Sequence, residues 1–195
     1  MTKSKQERSR RTAERLLNAA ESVASEVGFE RLTLAVVARR AECTTGAVYG
    51  RFTNKAGLLD ALHERHIERG TARLADQLRK IPSTGDRRGI LEGLLALFVE
   101  EYEEHWPIID AFGVMLPLHP SFAKRHVGLV KTLSQASSEV LGVPVEDMVL
   151  CVAMVMGTLD RTMRLRVLAP ELPLPDNEAL VRRLANACEA VINSR

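Results

Sequence analysis

Apolar residues recur at helical spacing along almost the whole chain, and no segment alternates in the manner of a β-strand. The first apolar stripe closes at Gly28, where a positive φ is typical of a helix C-terminus. Its members are Leu16, Leu17, Ala20, Val23, Ala24 and Val27. We therefore expect a first amphipathic helix that buries one face.

Two short helices are predicted to follow this first helix. The Thr33 side chain suits the N-cap of one, and Thr44 or Thr45 suits the N-cap of the other, which ends near Phe52. A longer fourth helix begins after Asn54 and runs to about residue 80. The first 55 residues are therefore predicted to form a small helical head.

Prolines and glycines divide the rest of the chain into further helices after a break at residues 82–85. The predicted helices span residues 86–105, 107–116, 121–141, 145–168 and 177–194. The expected fold class is all-α, with about nine helices arranged as a three-helix head and a C-terminal helical bundle. The expected domains are residues 1–55 and 56–195.

Composition agrees with a helical globular protein, because hydrophobic residues make up 46% of the chain and aromatic residues only 4%. No apolar run approaches about 18 residues, so no membrane span is expected. The basic start lacks the apolar core of a signal peptide. The three cysteines are far apart and lack metal-site spacing. We therefore expect a cytoplasmic protein with free thiols.

Charge is unevenly distributed along the chain. Residues 1–55 hold 11 Lys and Arg against 6 Asp and Glu, whereas the other 140 residues hold 16 against 19, which together give the net charge of +2. A basic head on a mildly acidic body is typical of a protein that binds a polyanion, although charge alone leaves a plain solvated surface as the alternative.

The segment from Thr33 to Phe52 has the spacing of a helix-turn-helix. Small Ala38 suits the crossing of two short helices, Glu42 occupies the turn, and Val48 is placed to pack back. In this arrangement the second short helix can lie in a DNA major groove and present its N-terminal side chains to base edges.

These residues resemble the pattern of the tetracycline-repressor (TetR) family over about 55 residues. The positions in register are Gly28, Phe29, Thr33, Ala41, Thr44, Gly46, Val48, Tyr49, Phe52, Lys55, Leu58 and Leu59. The resemblance implies a DNA-binding transcriptional regulator, most often a repressor that a small molecule releases from a palindromic operator.

The resemblance also implies roles for single residues at the DNA interface. Phosphate contacts are expected from Thr33, Thr44, Tyr49 and Lys55, with the Tyr49 ring packed and its hydroxyl directed at phosphate. Base contacts are expected from Thr45, Ala47, Gly50 and Arg51, and Gly46 lets the helix approach the DNA backbone. The basic arm before the first helix could follow phosphates or a minor groove; it contains Lys3, Lys5, Arg8, Arg10 and Arg11.

Three positions depart from the family pattern, and one of them is Ala56, which replaces the acidic residue common after Lys55. Glu42 replaces the usual turn glycine, so we expect a non-glycine residue in left-handed geometry. Gly50 replaces a bulky residue. These departures bear on affinity and operator sequence, and we expect Glu42→Gly to raise stability.

The body is expected to sense an inducer and to dimerise. Aromatic and thioether side chains can enclose an apolar or aromatic ligand of unknown identity. The expected contacts are Phe98, Tyr102, Trp106, Phe112, Met115, Phe122, Met154, Asp160 and Met163. The resemblance implies a homodimer through the last two helices, on stripes that include Leu150, Met154, Leu180, Leu184, Val191 and Ile192.

Metal binding, enzyme activity and protein interaction have less support in the sequence than DNA binding. His63 and His66 lie three apart, but no thiol or carboxylate completes a metal-site spacing, so neither a metal nor a cofactor is predicted. No nucleophile elbow, phosphate loop or carboxylate pair indicates an enzyme. The alternatives left open are a helical protein-interaction module and a small helical enzyme, neither of which would bind DNA.

Overall fold

The computed structural model describes residues 2–78, 80–81, 86–115 and 120–194. These residues contain eight α-helices and no strand, which confirms the all-α prediction. The helices are α1 (Thr2–Arg31), α2 (Leu34–Arg40), α3 (Thr45–Tyr49), α4 (Lys55–Leu78), α5 (Arg87–Met115), α6 (Pro120–Leu141), α7 (Val145–Leu168) and α8 (Asn177–Ile192).

The chain forms two compact units. The first consists of Met1–His66 with Ala111–Phe122, and the second consists of Ile67–Asp110 with Ala123–Arg195. Helix α4 therefore contributes its first half to one unit and its second half to the other.

The first unit has a continuous apolar core from α1 to the start of α4. Leu16, Val37 and Leu62 are fully buried there. The Arg65 side chain is also buried, because its guanidinium bonds the Asn18 amide oxygen at 2.8 Å and the Glu21 carboxylate at 2.7 Å. Helix α4 is thereby fastened to α1 within this unit by both apolar and charged contacts.

Gly28 interrupts the helical backbone of α1 at φ 78 and ψ 163, which confirms the predicted positive φ. Glycine adopts this conformation without the steric cost that a Cβ atom imposes. Val27, predicted to face the core, is instead 43% exposed, because it lies in the final turn before this kink.

The predicted break at Pro107 is wrong, since α5 runs unbroken from Arg87 to Met115 with the proline inside it. Proline removes one helical hydrogen bond and strains the preceding turn, at a cost of about 3 kcal/mol. The preceding segment is held in the core of the second unit, where Phe98 and Tyr102 are buried. Burial of several large side chains outweighs that cost, and this joined helix explains eight helices instead of nine.

The second unit has its own apolar core, built from the α4 end, α5, α6, α7 and α8. Leu91, Leu133, Leu159 and Ala185 are at most 1% exposed. The core-facing residues of α7 and α8 thus pack inside their own chain.

Within the described residues, no single helix is both long and apolar enough to cross a bilayer. Helices α6 and α7 reach the required length and apolar character only together, as a pair bent by 120°.

Candidate nucleic-acid interface

The turn between α2 and α3 has the geometry of a helix-turn-helix. Glu42 lies at φ 49, which confirms the left-handed conformation predicted for this position. The Cys43 amide donates to the Ala38 carbonyl at 2.9 Å and closes the turn. Ala38 is 2% exposed, so a small side chain does occupy the point where the helices meet.

Both short helices are capped by the predicted threonines. The Thr33 hydroxyl accepts from the Val36 amide, and the Thr44 hydroxyl accepts from the Ala47 amide, each at 3.2 Å. Each cap satisfies one of the backbone donors that a helix N-terminus leaves free. Because the hydroxyl oxygen acts as acceptor, its hydrogen remains available to an oxygen outside the protein.

Helix α3 buries one residue and exposes the others. Val48 is fully buried and Phe52 is 5% exposed, which confirms both as core residues. The exposed residues are Thr44, Thr45, Gly46, Ala47, Tyr49, Gly50 and Arg51. Arg51 lies just past the helix end, where its amide donates to the Val48 carbonyl at 3.0 Å. The predicted base-reading side chains therefore share one exposed stretch.

Tyr49 differs from its prediction in one respect. Its side chain is 56% exposed, so the ring does not pack into the core as expected. The inward position on this five-residue helix belongs to Val48, and the adjacent residue points away from it. More than half of Tyr49 is therefore available to a partner.

Lys55 makes a contact that the sequence did not indicate. Its ammonium donates to the Glu30 carbonyl at 2.9 Å, at the end of α1. An ammonium group has three hydrogens, so this bond leaves two for another acceptor. The same lysine can hold the end of α1 and bind a phosphate.

Two further residues that position α2 were not predicted as functional. Arg15 on α1 donates to the Ala41 carbonyl at 2.6 Å, at the end of α2. Arg40 on α2 donates to both carboxylate oxygens of Glu26 at 2.6 Å. The Arg40 guanidinium, helped by the Ser22 hydroxyl, lowers the pKa of Glu26 to about 2. These contacts join residues 14 to 26 apart, so no local spacing reveals them.

Arg10 and Arg11 are exposed on α1, and Arg11 forms an ion pair with Glu7 at 2.7 Å. The side chains of the other arm residues, Lys3, Lys5 and Arg8, lie outside the described part of the structure.

The predicted ligand residues are divided between the two units. In the second unit Phe98, Tyr102 and Met163 are buried, and Trp106 and Met154 are half-buried against the same core. In the first unit Phe112 and Phe122 pack on the buried His63, whose ring stacks on Phe122 with centroids 4.0 Å apart. The Met115 side chain lies outside the described residues.

Asp160 influences two titratable groups of the second unit, Tyr102 and His126. Burial raises the pKa of Tyr102, and the Asp160 carboxylate adds to that shift. Burial lowers the pKa of His126, while Asp160 acts in the opposite direction. Tyr102 therefore keeps its hydroxyl hydrogen at neutral pH.

Arg164 lies on the same side of the second unit. It is 2.5 Å from Asp110 and 3.6 Å from Asp160, and its guanidinium is 5.6 Å from the centre of the Trp106 ring. These contacts bring two carboxylates, an arginine and an indole together in the second unit.

Helix α7 exposes an apolar face that the core does not use. Val149 is 42% exposed and Leu150 is 56% exposed, and Ala153 and Gly157 follow them on the exposed surface. Of the other predicted interface residues, Leu180 and Leu184 are each 4% exposed and lie within the chain's own core. Among these predicted interface residues, the exposed apolar one is therefore Leu150 on α7.

Comparison with known proteins gives one family match, at the helix-turn-helix. Residues 16–62 match the model of bacterial regulatory proteins of the tetR family. The chain is 36% identical over 80 residues to an HTH-type transcriptional regulator of Mycobacterium tuberculosis. The aligned residues make up 41% of this chain and 39% of that protein. It is 35% identical over 95 residues to the HTH-type regulator TtgR of Pseudomonas putida, which covers 47% of this chain and 44% of TtgR. The chain thus spans about two fifths of the length of these curated relatives.

Solved structures are similar over nearly the full length. A TetR-family transcriptional regulator of Streptomyces coelicolor superposes with a TM-score of 0.61 and 26% identity, over 95% of this chain and 98% of that one. FadR of Bacillus subtilis, solved in complex with stearoyl-CoA, has the same fold with a TM-score of 0.66 and 18% identity, over 93% and 98% of the two chains. Residues 16–62 thus match the tetR family of bacterial regulatory proteins, and the fold of the chain is similar to that of TetR-family regulators.

Proposed function

We propose that this chain is a transcriptional regulator that binds a palindromic DNA operator through α3 and is released from it by a small molecule. The observation that carries the proposal is the division of α3, which buries Val48 and exposes every neighbouring side chain. A helix with one anchoring residue and an otherwise free surface can enter a major groove without unfolding the head. Such a role places the protein in the cytoplasm with the DNA.

Four side chains provide the phosphate contacts. Thr33 and Thr44 donate their hydroxyl hydrogens, Lys55 donates the two hydrogens that Glu30 leaves free, and the exposed Tyr49 donates its hydroxyl. The excess of basic residues in the first 55 positions strengthens binding to any duplex. These contacts set orientation and register but do not read sequence.

Sequence is read by the remaining exposed positions. Arg51 bonds a guanine edge through two hydrogens of its guanidinium, and Ala47 with the Thr45 methyl contacts thymine methyl groups. Gly46 and Gly50 carry no side chain, so the helix can lie close to the DNA backbone.

The test measures binding of a fluorescent duplex from the DNA beside the chain's own gene by anisotropy, over a range of salt concentrations. Arg51→Ala lowers the preference for the operator over a scrambled duplex by about 10- to 100-fold, as expected for one lost bidentate contact. Lys55→Ala weakens both duplexes alike and reduces the salt slope by about one. Arg183, an exposed arginine on α8, gives the matched control Arg183→Ala, which leaves both affinities unchanged.

An arginine whose loss weakens operator and scrambled duplex equally is not a base contact. In that case the assignment of Arg51 is wrong while the DNA-binding role stands. A chain that binds neither duplex but converts a substrate or captures a protein partner fits one of the alternative functions.

Dimerisation supplies the second half of the DNA contact. Two recognition helices must reach major grooves about 34–36 Å apart on a palindromic site, which a two-fold dimer achieves. The exposed face of α7, with Val149, Leu150, Ala153 and Gly157, offers apolar surface and small residues that permit close packing.

The inducer binds in the second unit beside Asp160. Phe98, Tyr102, Trp106, Met154 and Met163 supply apolar and aromatic surface, and Asp160 accepts a hydrogen bond from a polar group of the ligand. Trp106 is the chain's one tryptophan, so its fluorescence reports directly on this region.

A panel of apolar and aromatic compounds is therefore screened by Trp106 emission and by loss of DNA binding. The inducer changes both, and Asp160→Asn weakens its effect while leaving DNA affinity without ligand unchanged. A compound that releases DNA without altering Trp106 emission contradicts this location.

The proposed switch is a ligand-driven tilt of α4, the helix whose residues are divided between the two units. The ligand needs only a different affinity for the DNA-bound and released states. Small-angle scattering that finds the same separation of the two heads with and without an inducer, while DNA affinity changes, contradicts the tilt.

A further inference from the structure

Helices α7 and α8 bring two of the three free cysteines together inside the second unit. Cys151 and Cys188 are each 1% exposed. The Cys151 sulfur lies 3.8 Å from the backbone carbonyl oxygen of Cys188, so one thiol touches the main chain that carries the other. The Cys151 thiol is therefore next to the residue that carries the second thiol.

The same two residues line a small cavity. Its volume is about 20 Å³, and its other walls include Phe98, Ser137 and Met148. A cavity of that size holds about one water molecule. Hydrogen peroxide is only slightly larger than water and carries no charge, so it matches this small cavity better than an anion or a larger oxidant does.

The two thiols differ in acidity. A hydrogen bond from the Cys188 side chain lowers the pKa of Cys151, against the effects of burial and of the Asp147 carboxylate. The Cys151 sulfur and burial both raise the pKa of Cys188. The thiolate is the reactive form of cysteine, so Cys151 is the nucleophile of the pair and Cys188 remains a thiol beside it.

We infer that Cys151 and Cys188 are an oxidation site, at which a small neutral hydroperoxide forms a reversible disulfide between α7 and α8. The inference does not depend on the proposed DNA-binding function. It rests on the contact between the two residues and on the cavity that both of them line.

The reaction balances with hydrogen peroxide as the oxidant. The Cys151 thiolate attacks one peroxide oxygen, the O–O bond breaks, and the leaving hydroxide takes a proton to become water, which leaves a sulfenic acid on Cys151. The Cys188 sulfur then attacks the Cys151 sulfur, the S–S bond forms, and the hydroxyl departs with the Cys188 proton as a second water. Two thiols lose two electrons, and one peroxide gains them.

A disulfide requires the two Cα atoms to be about 4.4–6.8 Å apart. The 3.8 Å approach of the Cys151 sulfur to the Cys188 main chain is compatible with that spacing. Cys43, the third free thiol, lies in the first unit beside the turn before α3 and is half-buried. It therefore serves as an internal reference for non-selective oxidation.

The test uses the full-length, fully reduced protein and hydrogen peroxide alone. After exposure the protein is unfolded, its thiols are alkylated, and its peptides are mapped by mass spectrometry. The number of alkylated cysteines falls from three to one, that one is Cys43, and a peptide pair joined through Cys151 and Cys188 is found within a single chain. Dithiothreitol restores all three.

Variants identify the order of events. In Cys188→Ser the sulfenic acid on Cys151 has no thiol to react with, so it accumulates and is trapped by dimedone. Cys43→Ser forms the same Cys151–Cys188 link as the unchanged protein. Peptide mapping of the unchanged protein decides the proposal even if Cys188→Ser is unstable.

Three results overturn the inference: both residues remain alkylatable after the peroxide treatment, the disulfides found involve Cys43, or Cys151 proceeds to sulfinic acid without linking to Cys188.

Discussion

At position 42 the chain holds a glutamate in a backbone conformation that favours glycine. The resemblance to the TetR pattern implied this conformation, because Glu42 stands where that pattern has a turn glycine, and the φ of 49 agrees. Left-handed geometry brings the Cβ atom close to the backbone and costs about 1–2 kcal/mol for an ordinary residue. The side chain is exposed, so nothing in the core requires it.

We expect Glu42→Gly to raise the free energy of unfolding by about 0.5–1 kcal/mol, because relief of the strained φ exceeds the extra freedom that glycine gives the unfolded chain. Chemical denaturation measures the change. Glu42→Ala is the matched control, since alanine keeps the Cβ atom and should bring no comparable gain. A clear loss of stability in the glycine variant would contradict the turn geometry.

Glu26 provides a test through pH. Its pKa is lowered from 4.5 to about 2 by Arg40, so the stabilising contact is complete above pH 4.5 and is lost as the pH falls toward 2. Glu26→Gln should therefore be less stable at neutral pH and should lose less stability over that acidic range. Acid denaturation followed by circular dichroism measures both effects.

The control for that experiment is Glu30→Gln. Glu30 is exposed at the end of the same helix, and the described contacts include no ion pair for its carboxylate. An identical acid response for the two variants would contradict the role given to the Arg40–Glu26 pair.

At the scale of single elements, the sequence predicted most helix starts and ends because local chemistry determines them. The threonine caps of α2 and α3 and the extent of α7 follow from residues adjacent in the chain. The N-cap of α4 is Asn54, whose side-chain oxygen accepts from the Gly57 amide at 2.9 Å. Local sequence could not predict that the helix continues through Pro107, because the packing that keeps α5 continuous comes from distant residues.

The cap of α3 can be tested by comparing two adjacent threonines. Thr44→Ala should lower the free energy of unfolding by about 1 kcal/mol, since the Ala47 amide loses its partner. Thr45→Ala should be nearly neutral, because Thr45 is exposed and alanine favours a helix. Equal losses, measured by chemical denaturation, would mean that the Thr44 hydroxyl does not determine where the recognition helix begins.

At the scale of the whole molecule, the sequence predicted a helical head and body but not the composition of each unit. Residues 111–122 join the N-terminal unit, where Phe112 and Phe122 pack around His63. Contacts between residues about 50 positions apart leave no mark on local periodicity. The same limit explains why Leu180 and Leu184 were expected in an interface although they are buried in their own chain.

Dimerisation through α7 predicts that Leu150→Glu weakens self-association by about 10-fold or more, because a charge would be buried where an apolar side chain packed. Sedimentation equilibrium measures the dissociation constant. Val127→Glu is the matched control, since Val127 is 68% exposed on α6 and lies outside the α7 face. If both variants and the unchanged protein have the same dissociation constant, α7 does not form the dimer interface.

The most direct test of the account is sedimentation of the full-length protein with a labelled palindromic duplex at several salt concentrations. We expect two chains per duplex, and affinity that falls steeply with salt as displaced counterions predict. A chain that sediments as a monomer and leaves every duplex unbound, even at low salt, would contradict the claim that its helix-turn-helix reads DNA.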